Sequence, residues 1–179
     1  MKYYKLNINS LTKEDYERIF QEVDEYRQKK WNNLKQEEDK KRCLAVHELI
    51  TKTLKEELNM NNPIIDYSST PKIKNSDYHI SISHCNEWVV LGLSKKKIGI
   101  DIEKIKAINW DITRFFCSED DLLYIKKNNK RFYKVWTFKE AYCKANNIEF
   151  SRKIKEINFK DYKKEYDLFD QYLVCLYEE

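Results

Sequence analysis

The sequence contains little of the two residues that most often interrupt regular structure. Among 179 residues there are two glycines, Gly92 and Gly99, and two prolines, Pro63 and Pro71. No low-complexity segment or internal repeat is present. Both prolines lie in the segment 59–77, whose Asn, Ser and Pro content is typical of a loop. We expect this segment to join two lobes.

Paired cysteine motifs are also absent. The five cysteines are scattered along the chain, odd in number and without a C-x-x-C pair. This pattern excludes a disulfide framework and a zinc site of the usual kind. We expect the cysteines to be reduced residues that mostly pack in the interior: Cys43, Cys85, Cys117, Cys143 and Cys175.

The chain has no long apolar run and no strong charge of one sign. No stretch approaches the roughly 18 apolar residues that cross a bilayer, and the first residues lack the pattern of a signal peptide. We therefore expect a cytoplasmic protein without a membrane partner.

The net charge is +4, from 34 basic and 30 acidic residues, whereas a nucleic-acid binder is usually more basic on one face. Local basic clusters are either solvated surface or sites for anionic phosphates: 27–30, 40–42 and 95–97.

The order of hydrophobic periods predicts an α+β fold. A strand is expected at 3–8, followed by a helix at 12–30, with Thr12 and Asp15 at capping-box spacing, and a second helix at 39–58. His47 lies in the apolar stripe of that helix and is expected to be a packed core residue. Three strands are expected as an antiparallel meander at 78–84, 87–94 and 98–105, then a helical block at 111–145 and short strands at 154–162, 165–170 and 172–179.

Two carboxylates interrupt the buried strand "IGIDIEKI". Because a strand has a period of two, Asp101 and Glu103 share one face with Gly99, while the isoleucines occupy the other. A buried carboxylate is costly unless it has a partner. A glycine within a strand often marks a close approach, and we expect Gly99 to make room there for a phosphate.

The helix "FYKVWTFKEAYCKA" presents Trp136, Lys139, Glu140, Cys143 and Lys144 on one face. Glu140 and Lys144 are four residues apart, so one interpretation is a surface ion pair. With Asp101 and Glu103, however, Glu140 supplies a third carboxylate. Three oxygen ligands with water suit a Mg²⁺ ion that also binds a substrate phosphate.

The segments "GIDIE" and "WTFKEAYCKA" resemble the paired signature of the 4′-phosphopantetheinyl transferases, G(I/V)D(I/V)E and W(S/T)xKE(A/S)xxK. "SISHCNEW" looks like the (N/S)ISH segment of that family, and "RFFCSEDD" looks like its RFFS stretch. The four segments occur in the family's order. Length and order resemble the Sfp type, a monomer with two lobes.

The resemblance implies two similar α+β lobes, 1–100 and 101–179, related by pseudo-twofold symmetry, with the active site between them. It also implies Mg²⁺-dependent transfer of the phosphopantetheine arm of coenzyme A to a serine of an acyl or peptidyl carrier protein, releasing adenosine 3′,5′-bisphosphate. The implied metal ligands are Asp101, Glu103 and Glu140. The implied catalytic residues are Asp101, Glu140 and Lys144. The implied coenzyme A residues are Arg42, Ser83, His84, Lys144 and, as weaker candidates, Lys139 and Lys30.

Three positions depart from the family pattern. The GKP loop is "STPK" here, with Pro71 kept and the glycine lost, so the resemblance implies no contacts for 69–72. The glycine after the KExxxK helix is replaced by Asn146 and Asn147, which can still form a helix cap. Glu119 and Asp120 both match the acidic position after RFFS, and neither receives a role.

Two other functions use the same residues. A Mg²⁺-dependent nuclease needs carboxylates and a lysine, and an inactive coenzyme A-binding homologue would share the fold. The sequence does not distinguish carrier proteins of peptide synthetases, polyketide synthases and fatty-acid pathways.

Overall fold

A computed structural model describes residues 2–68, 70–149 and 152–179. The chain divides into two compact units, Lys2–Lys95 and Lys96–Glu179. Each combines helices with an antiparallel sheet, which confirms the predicted α+β class. The segment 59–77 lies inside the first unit, so the expectation that it joins two lobes is wrong.

The first unit is built on a three-stranded sheet with the order β1-β5-β4. The long helix α3 supplies much of its core through Val46, Leu49, Ile50 and Leu54. His47 is buried in this helix and shares a hydrogen bond of 2.8 Å with the hydroxyl of Tyr67, which confirms its prediction as a core residue. The elements are β1 (Tyr3–Asn7), α1 (Lys13–Glu22), α2 (Glu25–Asn33), α3 (Glu37–Leu58), β2 (Ile65–Asp66), β3 (Lys72–Ile73), β4 (His79–Cys85) and β5 (Trp88–Ser94).

The helix predicted at 12–30 is two helices. The capping box of Thr12 and Asp15 is present, as expected. Val23 then leaves the helical conformation, with a ψ of 151°, and the side chain of Asp24 caps the start of α2. Val23 is buried beside Ile19. An N-cap carboxylate in the middle of an amphipathic run therefore starts a new helix there.

The second unit contains a three-stranded sheet with the order β6-β8-β7 and one long helix. The core includes the buried Val135 and Phe138 of that helix, α5, and Leu173 and Cys175 of β8. None of the helices in the described ranges has the length and the run of apolar residues that crossing a bilayer requires. The elements are β6 (Ile98–Lys104), α4 (Glu119–Ile125), α5 (Asn129–Asn146), β7 (Glu165–Phe169) and β8 (Tyr172–Glu178), with 3₁₀ turns at Trp110–Phe115, Arg152–Glu156 and Phe159–Asp161.

Two predictions about strands are wrong. β4 and β5 form the expected hairpin, but β6 does not continue it: β6 pairs with β8 along its whole length, from Ile98 with Glu178 to Lys104 with Tyr172. The segment 154–162 contains 3₁₀ turns instead of a strand. The first error concerns a partner that is distant in the sequence, which periodicity does not report.

Candidate active site

Helix α5 lies directly on the face of β6 that carries Gly99. A Cβ atom added to Gly99 would fall 1.7 Å from the carbonyl oxygen of Ala141 and 3.0 Å from the backbone nitrogen of Ala145. Gly99 is therefore required by the close approach of the helix. The expectation that Gly99 makes room for a phosphate is wrong, because the protein's own helix backbone fills the space.

One face of α5 packs against β6 and carries three side chains spaced four residues apart: Trp136, Glu140 and Lys144. The indole Nε1 of Trp136 donates to Oε1 of Glu103 at 3.3 Å. Nζ of Lys144 donates to Oδ1 of Asp101 at 2.8 Å and to the backbone carbonyl of Ile100 at 3.0 Å. Positions four apart share one face of a helix, so Glu140 lies between these two contacts. The structure thus brings together all four residues predicted from the paired signature.

Comparison with known proteins identifies the family. A sequence model of the 4′-phosphopantetheinyl transferase superfamily matches residues 97–171. The chain is 31% identical over 157 residues to the 4′-phosphopantetheinyl transferase ffp of Bacillus subtilis. This match covers 80% of the chain and 69% of the relative. The chain belongs to the 4′-phosphopantetheinyl transferase superfamily. This membership confirms the resemblance that its motifs predict.

Two further relatives of the superfamily carry the same name. The 4′-phosphopantetheinyl transferase Sfp of Bacillus subtilis (strain 168) is 30% identical over 155 residues, which are 80% of this chain and 69% of the relative. The 4′-phosphopantetheinyl transferase gsp of Aneurinibacillus migulanus is 36% identical over 115 residues, which are 60% of this chain. The chain spans about half the length of the latter, 48%.

Asp101 of the second unit raises the proton affinity of two neighbouring carboxylates, Glu140 and Glu103. Burial, and next the charge of Asp101, raise the pKa of Glu140 to about 7, although the ammonium of Lys144 opposes the effect. Burial and Asp101 also raise the pKa of Glu103. Neighbouring carboxylates that are partly buried favour the binding of a cation, because the cation offsets their mutual repulsion.

The donor set fits a magnesium ion in chemistry without enclosing one. Within residues 2–68, 70–149 and 152–179, no three His, Cys, Asp or Glu side chains converge closely enough to hold a metal ion as they lie. Mg²⁺ is usually bound by one or two carboxylates together with water and substrate phosphates, and seldom by a full protein cage. Asp101, Glu103 and Glu140 meet this requirement.

Lys139 does not join this cluster. Its side chain is 0% exposed and forms an ion pair of 2.6 Å with Asp121, which is 1% exposed. The buried acid after the RFFC segment is therefore Asp121, whereas Glu119 and Asp120 are exposed. The sequence prediction missed Asp121, although the spacing from Ser118 to Asp121 is that of a capping box, which the structure contains.

In the first unit, Arg42 is fixed beside the turn that follows His84. Its Nη1 donates to the carbonyl of Asn86 at 2.7 Å, and its Nη2 donates to Oδ1 of Asp39 at 2.5 Å. Asn86 lies in the turn between β4 and β5, with a φ of 50°. Two of the predicted coenzyme A residues, Arg42 and His84, are thus near each other.

The remaining candidates of the first unit are placed less favourably. Ser83 and His84 are consecutive on β4, so their side chains point to opposite faces; Ser83 is buried and His84 is exposed. Lys30 is exposed in the last turn of α2. In the segment 69–72, which replaces the family's GKP loop, Ser69 lies outside the described residues and Lys72 begins the short strand β3.

Proposed function

We propose that this chain transfers the 4′-phosphopantetheine arm of coenzyme A to a serine of an acyl or peptidyl carrier protein and releases adenosine 3′,5′-bisphosphate. Membership of the superfamily supports the class of reaction. The observation that carries the proposal for this chain is the meeting of Glu140 and Lys144 of α5 with Asp101 of β6. Carboxylates and an ammonium group stand there together, as phosphoryl transfer requires.

In the proposed reaction, the serine hydroxyl oxygen attacks the phosphorus that carries the pantetheine arm, and the bond from that phosphorus to the oxygen of adenosine 3′,5′-bisphosphate breaks. Glu140 orients the hydroxyl and takes its proton, directly or through a water. Lys144 donates to the phosphates as charge builds on the leaving group. An ammonium has three N–H donors, and the contacts between described residues use two of those of Lys144.

Asp101, Glu103 and Glu140 would hold a Mg²⁺ ion. When bound, the ion supplies positive charge that offsets the charge of the diphosphate. Asp101 and Glu103 lie on a strand that is paired with β8 at every position, so their backbone is held rigidly. Trp136 further fixes the carboxylate of Glu103.

The proposed contacts with the nucleotide end of coenzyme A come from the first unit. Arg42 is held in place by two hydrogen bonds and can present its remaining donors to a phosphate. His84 is the exposed member of its pair, whereas the buried Ser83 can contribute only through its backbone or after movement. Lys30 is retained as a weaker candidate. Lys139 is not, because it is completely enclosed.

The two units share one plan, a three-stranded antiparallel sheet with a long helix, α3 or α5. The proposal includes that they are the two similar lobes expected from the family. No observation favours the nuclease alternative, because family membership accounts for the same carboxylates.

The test is incubation of the full chain with coenzyme A, Mg²⁺ and a panel of apo carrier proteins from peptide synthetases, polyketide synthases and fatty-acid pathways. We expect a carrier whose mass rises by one phosphopantetheine group, with release of adenosine 3′,5′-bisphosphate. Asp101→Asn should lower the rate by at least about 100-fold. Binding of coenzyme A without transfer to any carrier would identify an inactive homologue, and Mg²⁺-dependent cleavage of nucleic acid would identify the nuclease.

A further inference from the structure

Lys139 is enclosed even though the next residue lies on the active-site face. Its ammonium donates to Oδ2 of Asp121 at 2.6 Å, to the carbonyl of Phe116 at 2.9 Å and to the carbonyl of Ile154 at 3.0 Å. An ammonium group has three donors, so every donor of Lys139 has a protein acceptor. A group this enclosed does not reach a substrate.

The three acceptors belong to three separate segments of the second unit. Phe116 follows the 3₁₀ turn Trp110–Phe115, and Asp121 lies in the first turn of α4. Ile154 lies in the 3₁₀ turn Arg152–Glu156, which comes after α5. Asp121 is fixed in turn, because its Oδ2 also accepts the backbone N–H of Ser118 at 2.9 Å. Lys139 therefore ties α5 to segments that precede it and follow it in the chain.

This tie is one anchor that restrains the rotation of α5 about its axis. A second anchor is the carbonyl of Ala141, which packs against Gly99 without room for a methyl group. Successive helical residues are about 100° apart, so Lys139 and Ala141 lie on either side of Glu140 around the helix. A rotation that moves Glu140 away from Asp101 must disturb one anchor or both.

We infer that Lys139 is a positioning residue: its buried pair with Asp121 holds α5 in the rotation at which Glu140 faces the carboxylates of β6. This inference rests on the proposed function, since it concerns the placement of Glu140 in that site. It replaces the contact with coenzyme A that the family resemblance implies for Lys139.

A pair of neutral residues separates positioning from stability. Removing one partner of a buried ion pair leaves an uncompensated charge, whereas replacing both is often nearly neutral for stability. Lys139→Met with Asp121→Asn removes both charges, and the asparagine retains an oxygen for the N–H of Ser118. Phe159→Leu is the matched control for stability, because Phe159 is buried in the same core but lies outside α4 and α5.

The measurements are the melting temperature, kcat and KM for transfer, and calorimetric binding of Mg²⁺ in the presence of coenzyme A. We expect the double variant to melt no lower than Phe159→Leu but to lose at least about tenfold in both Mg²⁺ affinity and kcat, as is common when residues that orient metal ligands are changed. Phe159→Leu should retain both values. If the double variant does not fold, Asp121→Glu, which keeps both charges but displaces the carboxylate, is measured by the same criteria.

Mg²⁺ affinity and kcat within about threefold of the control, well short of the loss typical of orienting residues, would overturn the inference. Glu140→Gln distinguishes this failure from failure of the proposed function. If Glu140→Gln loses Mg²⁺ binding and the double variant does not, only the role of Lys139 is wrong. If Glu140→Gln binds Mg²⁺ like the wild type, the metal site itself is wrong, and the positioning role is overturned with it.

Discussion

Two lysines of α5 form ion pairs with aspartates, and the difference in their exposure separates their roles. Lys139 and Asp121 are 0% and 1% exposed, whereas the side chains of Lys144 and Asp101 are 28% and 6% exposed. The first pair is sealed by protein and can act only through the structure that it holds. The second is open on the side of the lysine, so Lys144 can meet a phosphate.

Exchanging Glu140 and Lys144 tests whether they are more than a surface pair. Glu140→Lys with Lys144→Glu keeps an i, i+4 pair but places a carboxylate against Asp101 and an ammonium at the proposed metal site. We expect the single-turnover rate on an apo carrier protein to fall at least about 100-fold. Loss of folding is monitored by circular dichroism, and only folded protein is compared.

The control for this exchange is a pair on α1 with the same spacing. Lys13 and Glu17 lie 3.7 Å apart and are 86% and 67% exposed. Lys13→Glu with Glu17→Lys should leave the transfer rate unchanged, since such pairs contribute only a few tenths of a kcal/mol. An active-site exchange that retains more than about a tenth of the rate, far above the loss expected for a catalytic contact, would assign Glu140 and Lys144 to the surface.

Helix α5 is defined by how closely it packs against β6 and by how it ends. Its contact with β6 depends on Gly99, and its end depends on Asn147, which adopts a left-handed φ of 51° and donates its N–H to the carbonyls of Cys143 and Lys144. The prediction that asparagine can replace the family's glycine at this cap is confirmed. Both features determine where α5 places Glu140 and Lys144.

Gly99→Ala should separate α5 from β6. The added methyl group would collide with a backbone carbonyl, which a change of rotamer cannot relieve, so we expect a loss of at least about 3 kcal/mol of stability. Chemical denaturation measures this loss. Ile98→Val, on the adjacent position of the same strand, should cost only about 0.5–1.5 kcal/mol. Equal effects of the two substitutions would contradict the close packing at Gly99.

Asn147→Gly should stabilise the end of α5 by about 0.5 kcal/mol, because glycine adopts the left-handed conformation without a steric penalty. Asn146→Gly is the opposing control. Asn146 is the last helical residue, and its side chain donates to the carbonyl of Tyr142 at 3.0 Å. Glycine there should destabilise by about 1 kcal/mol. Thermal melting of the two variants should therefore shift in opposite directions, and shifts of the same sign would argue against the cap.

The candidate site residues are divided between the two units of the molecule. Asp101, Glu103, Glu140 and Lys144 belong to the second unit, whereas Arg42 and His84 belong to the first. The first unit also contains the one buried histidine of the described chain, His47, beside the buried Arg27. Its burial makes the stability of the molecule dependent on pH.

The contribution of His47 to stability should fall as the pH is lowered from 7 to 5. Burial, and next the positive charge of Arg27, lower the pKa of His47 below its usual value, despite nearby Glu22 and Glu48. The unfolded chain then binds a proton at about pH 6.5 that the folded chain does not bind, so this contribution is present above that pH and is lost below it. The raised pKa of Glu140 acts in the opposite direction, because there the folded chain binds the proton more tightly. Urea denaturation at several pH values measures the slope.

His47→Gln should lose less stability than the wild type as the pH is lowered from 7 to 5, because glutamine can still reach the hydroxyl of Tyr67 but does not titrate. His79→Gln is the control, since His79 is exposed at the start of β4. It should retain the slope of the wild type. An unchanged dependence of stability on pH in His47→Gln would contradict the contribution assigned to His47.

Local sequence determined much of this protein. Its periodicity and capping residues predict β1, α3, α5 and the β4–β5 hairpin, and the four ordered segments predict the family and the residues that meet on α5 and β6. The spacing of Asp101 with Glu103, and of Glu140 with Lys144, places each pair on one face of its own element, because that depends only on the geometry of a strand or a helix.

What those faces contact depends on the tertiary structure. The partner of β6 is β8, more than sixty positions later in the numbering, from Ile98 with Glu178 onward; Gly99 faces a helix backbone instead of a substrate; and Lys139 pairs with Asp121 in the interior. Each outcome depends on contacts between segments far apart in the chain. Such contacts are selected by how well whole surfaces pack and how buried charges find partners, and no local period encodes them.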